Sequence, residues 1–443
     1  MVSNLRRSLV RTVLCTTVFF ALLGPELSIS KGLSYFRCLF FLLVFAILFL
    51  YRKDLVHKFS AVQSKIIRGF LIFCGCWLGY GLLSLSWTVS FSAGVNYLGR
   101  LSMMLLLVFC LLAVVKSKQD FNKIACFLLG GFSVVILFGF IESITLRHLS
   151  VSRAYGTDLL TVTSFFRNEN DLATFLTIGL PFLLVALVQP MLKRRTRFFF
   201  YLLAVLSLYL LILTGSRSNV WLVLPLIIIG ALFSLCFRKI KVRQLAKNFV
   251  LYASMLGAVQ LLFLSCANPH LTNRALGKLG AAVIFYQAVT DSPWGLDDDL
   301  EVGEGRCESG QVRKYLLLNG WHFLKESSFK GVGVGSIELL MATAPKVNVT
   351  NIHNWWAEIL VTFGVGIFAI YFWLYSYLLW RLFKMGLVGD GIGLALFLSL
   401  GGLTIGCMAP SSVLQYAPMW ILFGLALAYT NFEVLPENRQ LAQ

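Results

Sequence analysis

The chain has 443 residues, of which 58% are hydrophobic and only 13% charged. Soluble domains carry about 25% charged residues, so an ordinary water-soluble globule is excluded. The formal net charge of +18 would point to nucleic acid in a soluble protein, but the cations here lie between apolar runs and mark membrane sidedness instead.

In chain order, apolar runs occupy 12–30, 34–51, 69–87, 98–115, 124–144, 170–189, 198–214, 219–236, 248–266, 353–380, 391–408 and 416–431. Many reach the roughly 20 residues that an α-helix needs to cross a bilayer. The short alternating segments of a β-barrel are absent. The expected fold is therefore all-α, a polytopic membrane protein of about twelve transmembrane helices. Arg6, Arg7 and Arg11 precede the first run as in a signal peptide, but no small-residue cleavage site stands out, and it reads as the first helix. With the N-terminus inside, cations collect on alternate connections, as at Arg52, Lys53, Lys193, Arg194, Arg238 and Lys239. That alternation puts both termini in the cytoplasm.

Residues 267–352 interrupt the pattern with lower hydropathy and an acidic run over 297–304. They read as one large extracytoplasmic loop, and loops of this length are usually functional. Within it GQVRKYLLLNGWHFLKE (310–326) has helical character and a Gly-rich turn follows. The expected boundaries are nine membrane helices over 1–266, the loop over 267–352, three membrane helices over 353–431 and a cytoplasmic tail over 432–443.

The cysteines show no C-x-x-C or Cys/His metal spacing. Only Cys266 and Cys307 could meet in an aqueous loop, and the sequence leaves their pairing open. GVGVG at 331–335 lacks the ending of a nucleotide-binding loop. The acidic run lacks the spacing of a calcium loop and reads as solvated charge.

His353 stands at the external mouth of the tenth run, in NIHNWWAEILVTFGVG. Read as helix, this stretch puts Trp356, Ala357, Leu360 and Gly364 on the face of His353, with Asn354 and Glu358 on a neighbouring face. The plainer reading is an interfacial belt in which Trp355 and Trp356 anchor the helix at headgroup level. Against it stand the arginines of the cation-poor outer side: Arg217 on the short connection LTGSRSNVW, Arg313 opening the loop helix, and Arg153 and Arg167 before the sixth run. A guanidinium fork suits bidentate phosphate binding. Several beside a histidine favour an anion site.

The segments RNENDLATFLTIGLPFL (167–183), TGSRSNVW (214–221), GQVRKYLLLNGWHFLKESSFKGVGVGS (310–336) and HNWWAEILVTFGVG (353–366) together resemble the O-antigen ligase and polymerase superfamily of bacterial membrane glycosyltransferases, which includes teichuronic-acid and exopolysaccharide proteins. The likeness covers most of the chain. Ser328-Phe329 stands where the family often has a proline, and Gly364 and Gly366 shorten its terminal glycine spacing. The resemblance implies a GT-C-like fold in the bacterial cytoplasmic membrane, with the active site on its extracytoplasmic face. It also implies transfer of a glycan from an undecaprenyl-pyrophosphate carrier to an acceptor hydroxyl on a glycan, lipid or cell-wall component, with no cofactor, metal or nucleic acid. In that family paired arginines contact the pyrophosphate and a histidine assists the acceptor, roles that fall on Arg217, Arg313 and His353. Arg153, Arg167, Asn170, Asn354 and Glu358 are secondary candidates. Physical chemistry agrees: fixed guanidiniums stabilise a leaving pyrophosphate as its charge grows, and a histidine suits proton removal near neutral pH. The alternatives are a polymerase of the same superfamily, a lipid-linked sugar flippase, which calls for ionisable groups and broken helices at mid-membrane, and a scaffolding protein.

Overall fold

The structure, a computed structural model, describes residues 2–24, 28–30, 33–50, 65–189, 192–237, 242–291, 309–347, 349–410 and 412–432. The acidic run over 297–304, Cys307 and the tail beyond 432 lie outside the described residues. The described chain is helical apart from a minute hairpin of β1 (Ser28–Ser30) and β2 (Leu33–Ser34).

The helices are α1 (Val2–Leu22), α2 (Tyr35–Leu50), α3 (Lys65–Ser84), α4 (Phe91–Val114), α5 (Lys118–Thr145), α6 (Glu169–Leu187), α7 (Arg194–Thr214), α8 (Leu224–Phe237), α9 (Val242–Ser265), α10 (Pro269–Asp291), α11 (Ser309–Glu326), α12 (Ile337–Ala342), α13 (Trp355–Leu387), α14 (Gly391–Gly406) and α15 (Ala417–Thr430). A π turn, Ser218–Val223, leads into α8. Each of the twelve apolar runs holds a helix, and α10, α11 and α12 lie in the long connection between the ninth and tenth. Among the described residues, seven helices are long and apolar enough to cross a membrane and four apolar helices are shorter. The outer faces stay apolar: Leu264 is 78% exposed, and Phe249 and Leu256 are also exposed. Such a surface needs lipid rather than water around it.

The helices α14, α6 and α7 pack side by side, α15 lies along α4, and α1 runs between α2 and α5. At one end of the bundle Arg7 and Arg11 pair with buried Asp120 in the first turn of α5, where a carboxylate also complements the helix dipole. The other end carries the candidate residues. Trp355 is 1% exposed, its Nε1 donates to the Tyr371 hydroxyl at 2.9 Å, and its ring sits against Trp77 and Trp420. Trp356 is half-buried and donates to the Thr404 carbonyl at 2.9 Å. The interfacial-belt reading of this pair is therefore corrected: Trp355 fills the bundle core, where its buried N–H needs a partner and finds one.

A second departure is the break in α13 at Gly364 (φ 75°, ψ 179°), which separates a short first segment from the long remainder. Backbone of the Gly-rich turn fills the break. Val332 N donates to the Val361 carbonyl at 2.9 Å, Gly333 N to Thr362 at 3.1 Å, and Val365 N to the Phe329 carbonyl at 3.1 Å. These bonds serve groups that a continuous helix would have paired internally. A Cβ at Gly364 would lie 2.5 Å from Lys330 C, and one at Gly331 2.5 Å from Gly364 N. The glycines of 331–335 thus dock one backbone against another. On its other side the turn is held by α3 and the turn that follows it: Tyr80 Oη donates to the Lys330 carbonyl at 2.6 Å, Trp87 Nε1 to Gly331 at 3.1 Å and Thr88 Oγ1 to Val334 at 2.6 Å.

Candidate functional site

The Arg217 turn is built from small residues. Gly215 ends α7 in the left-handed region at φ 64°, a C-terminal stop for which glycine is suited. Four residues on, buried Asn219 reaches back with its amide to Ser216 Oγ at 3.1 Å and Thr174 Oγ1 at 3.3 Å, and accepts from Thr177 Oγ1 at 2.9 Å. This knot ties the π turn to α6 and leaves Arg217, half-buried, projecting from a fixed backbone.

Arg313 arrives from the long connection. Its helix, α11, is seated by a small apolar cluster in which Leu316 and Leu324 pack with Ile337, Met341, Ile352 and Val361. Arg313 Nη1 then lies 3.4 Å from Ser218 Oγ. Burial, and after it the charge of Arg217, push the Arg313 pKa below its ordinary value. Two guanidiniums are thus held near each other in a partly dry place. Like charges so placed repel unless an anion joins them.

His353 does not lie on the helix. Asn354 caps α13, its side chain accepting from Trp356 N and Ala357 N, so the helix opens two residues after the histidine. The shared-face reading of His353 is corrected accordingly. The residue sits at φ 50°, its N–H donates to Asn351 Oδ1 at 2.8 Å, and its Nδ1 is 3.3 Å from the Pro410 carbonyl oxygen. A carbonyl only accepts, so that contact assigns the proton to Nδ1 and leaves Nε2 as the basic nitrogen of the neutral ring. Burial lowers the His353 pKa below 6.5, the Pro410 contact opposes that, and the Arg313 charge lowers it further. The structure therefore brings Arg217, Arg313 and His353 to one place, each from a different part of the chain.

The other candidates are elsewhere. Arg153 pairs with Glu169 at 2.5 Å, as does Lys278 Nζ at 3.0 Å. Asn168 caps α6 by accepting from the backbone N–H groups of Asn170 and Asp171, so within RNEND it is Asn168 that organises the helix start, with Asn170 half-buried beside it. Arg167 is exposed and lines a cleft of about 380 Å³ with Arg100 and Gln415. Asn354 is the α13 cap. Glu358 is buried and faces a different cleft. Glu142, in the last turn of α5, accepts from Thr163 N at 3.0 Å and pairs with His148 at 2.7 Å, which makes it a fold node.

Two cations of α10 were missed by reasoning from sequence. Arg274 Nη1 donates to the Leu160 carbonyl, and Lys278 packs its stem against Gly215, the residue that ends α7. Burial lowers the pKa of both while Glu169 raises it. Their i, i+4 spacing on an otherwise weakly charged helix was the available signal.

Two comparisons with known proteins find relatives. Residues 202–372 match the family model described as O-Antigen ligase, a span that contains Arg217, Arg313 and His353. The chain is also 28% identical to the Teichuronic acid biosynthesis protein TuaE of Bacillus subtilis (strain 168), over 89% of this chain and 81% of that protein. The chain is thus similar to the O-antigen ligase family over 202–372 and to a teichuronic acid biosynthesis protein over most of its length.

Proposed function

We propose that the protein transfers a glycan from an undecaprenyl-pyrophosphate carrier to an acceptor hydroxyl at the outer face of the bacterial cytoplasmic membrane. Arg217 and Arg313 bind the pyrophosphate, and His353 removes the acceptor proton. The observation that carries this reading is the convergence of two partly buried guanidiniums and a histidine, from α11, the α7–α8 turn and the segment before α13, at one end of an apolar bundle.

As the glycosidic bond breaks, electrons pass to the pyrophosphate oxygen and its negative charge rises. Fixed guanidiniums in a partly desolvated site favour that state over the ground state. Meanwhile Nε2 of neutral His353 takes the acceptor proton, leaving imidazolium, and the acceptor oxygen forms the new bond at the anomeric carbon. The guanidiniums supply the positive charge that the step calls for. The extracytoplasmic site, with both termini in the cytoplasm, rests on the alternation of cationic connections.

The cellular test compares carrier-linked and mature glycans with and without the gene. Loss of long chains marks a polymerase, and complete chains stranded on the carrier mark a ligase. Unaltered glycans on both would contradict the proposal, whereas repeat units held on the cytoplasmic side would favour a flippase.

A further inference from the structure

Beside the arginine and histidine site lies a cleft of about 200 Å³ whose lining mixes apolar Ile337 and Ile352 with polar groups: Asn96, Tyr97 and Arg100 on one face of α4, Glu338 on α12, Asn351, and Glu358 in the opening turns of α13. Glu358 is 8% exposed, and the hydrogen bond it receives comes from Tyr97 Oη, at 3.0 Å to Oε1. A carboxyl so deep in an apolar bundle is expensive to hold and marks a functional site unless a structural partner explains it. One tyrosine hydroxyl leaves most of its accepting capacity turned to the cleft. Asn351 also ties this place to the proposed chemistry, since its side chain accepts from the His353 N–H.

We propose that this cleft is the subsite for a neutral sugar ring of the acceptor, with Glu358 accepting hydrogen bonds from its hydroxyls; the inference rests on the transfer reading above. The lining pairs acceptors with donors: carboxyls at Glu338 and Glu358, amides at Asn96 and Asn351, and the Arg100 guanidinium. Vicinal hydroxyls, each donor and acceptor, match that alternation. The carboxyls disfavour a phosphate or a uronate, and an acyl chain would leave the amides and carboxyls of the lining unpaired. The volume falls below the roughly 300–1,000 Å³ of drug-sized pockets and suits a single ring. Placing it beside Asn351 brings a hydroxyl of that ring within range of the His353 segment. Glu358 is then a positioning and specificity group, and His353 the base.

The test uses the full chain in lipid nanodiscs. The probe is the repeat-unit oligosaccharide released from its carrier by mild acid, measured by equilibrium binding and as acceptor in transfer. Glu358→Gln should weaken its binding and raise the acceptor KM by about ten- to a hundred-fold, as expected when a buried hydrogen-bond partner is lost, with kcat and binding of carrier-linked donor close to wild type. Asn96→Ala, at an exposed position, should weaken binding several-fold and decides the matter if Glu358→Gln misfolds. Tyr97→Phe removes the bracing hydroxyl but keeps the carboxyl, so it should weaken binding less than Glu358→Gln. Equal oligosaccharide binding by wild type, Glu358→Gln and Asn96→Ala would overturn the subsite, as would a Tyr97→Phe loss equal to that of Glu358→Gln, which marks a mere brace. Failure of the transfer reading shows separately, as donor binding indifferent to Arg217→Ala and Arg313→Ala.

Discussion

His353 holds a backbone angle, φ 50°, that costs an ordinary side chain about 1 kcal/mol or more. The cap at Asn354 and the Asn351 bond over-determine it, which turns the ring toward Pro410 and away from the helix. A base held below its ordinary pKa is neutral, and so competent, at pH 7. Protonation switches it off only in acid. The acid limb of kcat/KM should accordingly lie below pH 6.5, and a pH–rate profile with that limb at or above about 7 would remove His353 from the role. For the arginines the fork matters as well as the charge. Arg217→Ala and Arg313→Ala should each slow transfer by about 10²–10³-fold, the range seen for loss of one fixed donor to a developing anion. The corresponding lysine variants should recover part of the rate. Wild-type turnover by both alanine variants at equal protein level would contradict the pyrophosphate role.

The break in α13 shows what an element contributes. The first segment of α13, the 327–336 turn and α11 form one docked unit, because Gly364 opens the helix and the turn supplies the missing hydrogen bonds. Gly364→Ala places a methyl against Lys330 in a conformation that alanine resists. It should lower stability by about 1–3 kcal/mol, read as a lower thermal midpoint and faster proteolysis at 327–336. Two residues on, a Cβ at Gly366 meets nothing within 4 Å, so Gly366→Ala should be neutral or stabilising by up to about 1 kcal/mol. Equal behaviour of the two would show that the break does not hold the unit. The apolar runs gave the helices directly, since length and hydropathy depend only on local composition, and the short turns TGSRSN and NIHN exposed their arginine and histidine as exceptions. The break was illegible because a glycine in an apolar run looks the same whether it continues a helix or ends one. Only the partner backbone, more than thirty positions earlier, decides. Arg274 and Lys278 were hidden for a similar reason: their meeting with Glu169 spans more than a hundred residues.

At the scale of the whole molecule, one end of the bundle holds Arg7 and Arg11 with buried Asp120, and the other gathers α11, α12, the Gly-rich turn, the α7–α8 turn and the segment before α15. A sidedness follows. Single cysteines at Lys314 and Arg195, both exposed, in a chain freed of its native cysteines, should respond oppositely to a membrane-impermeant thiol reagent in cells without an outer barrier: position 314 labelled, position 195 protected. The reverse pattern would invert the molecule and put its site in the cytoplasm. The central claim, that three residues drawn from distant parts of the chain form one transfer site, is tested most directly by single-turnover transfer from purified carrier-linked glycan by His353→Ala, with donor binding followed separately. The account predicts a rate reduced by about 10²–10⁴-fold with donor binding intact, because Arg217 and Arg313 are untouched. Normal turnover by His353→Ala, or a loss traced wholly to donor binding, would contradict it.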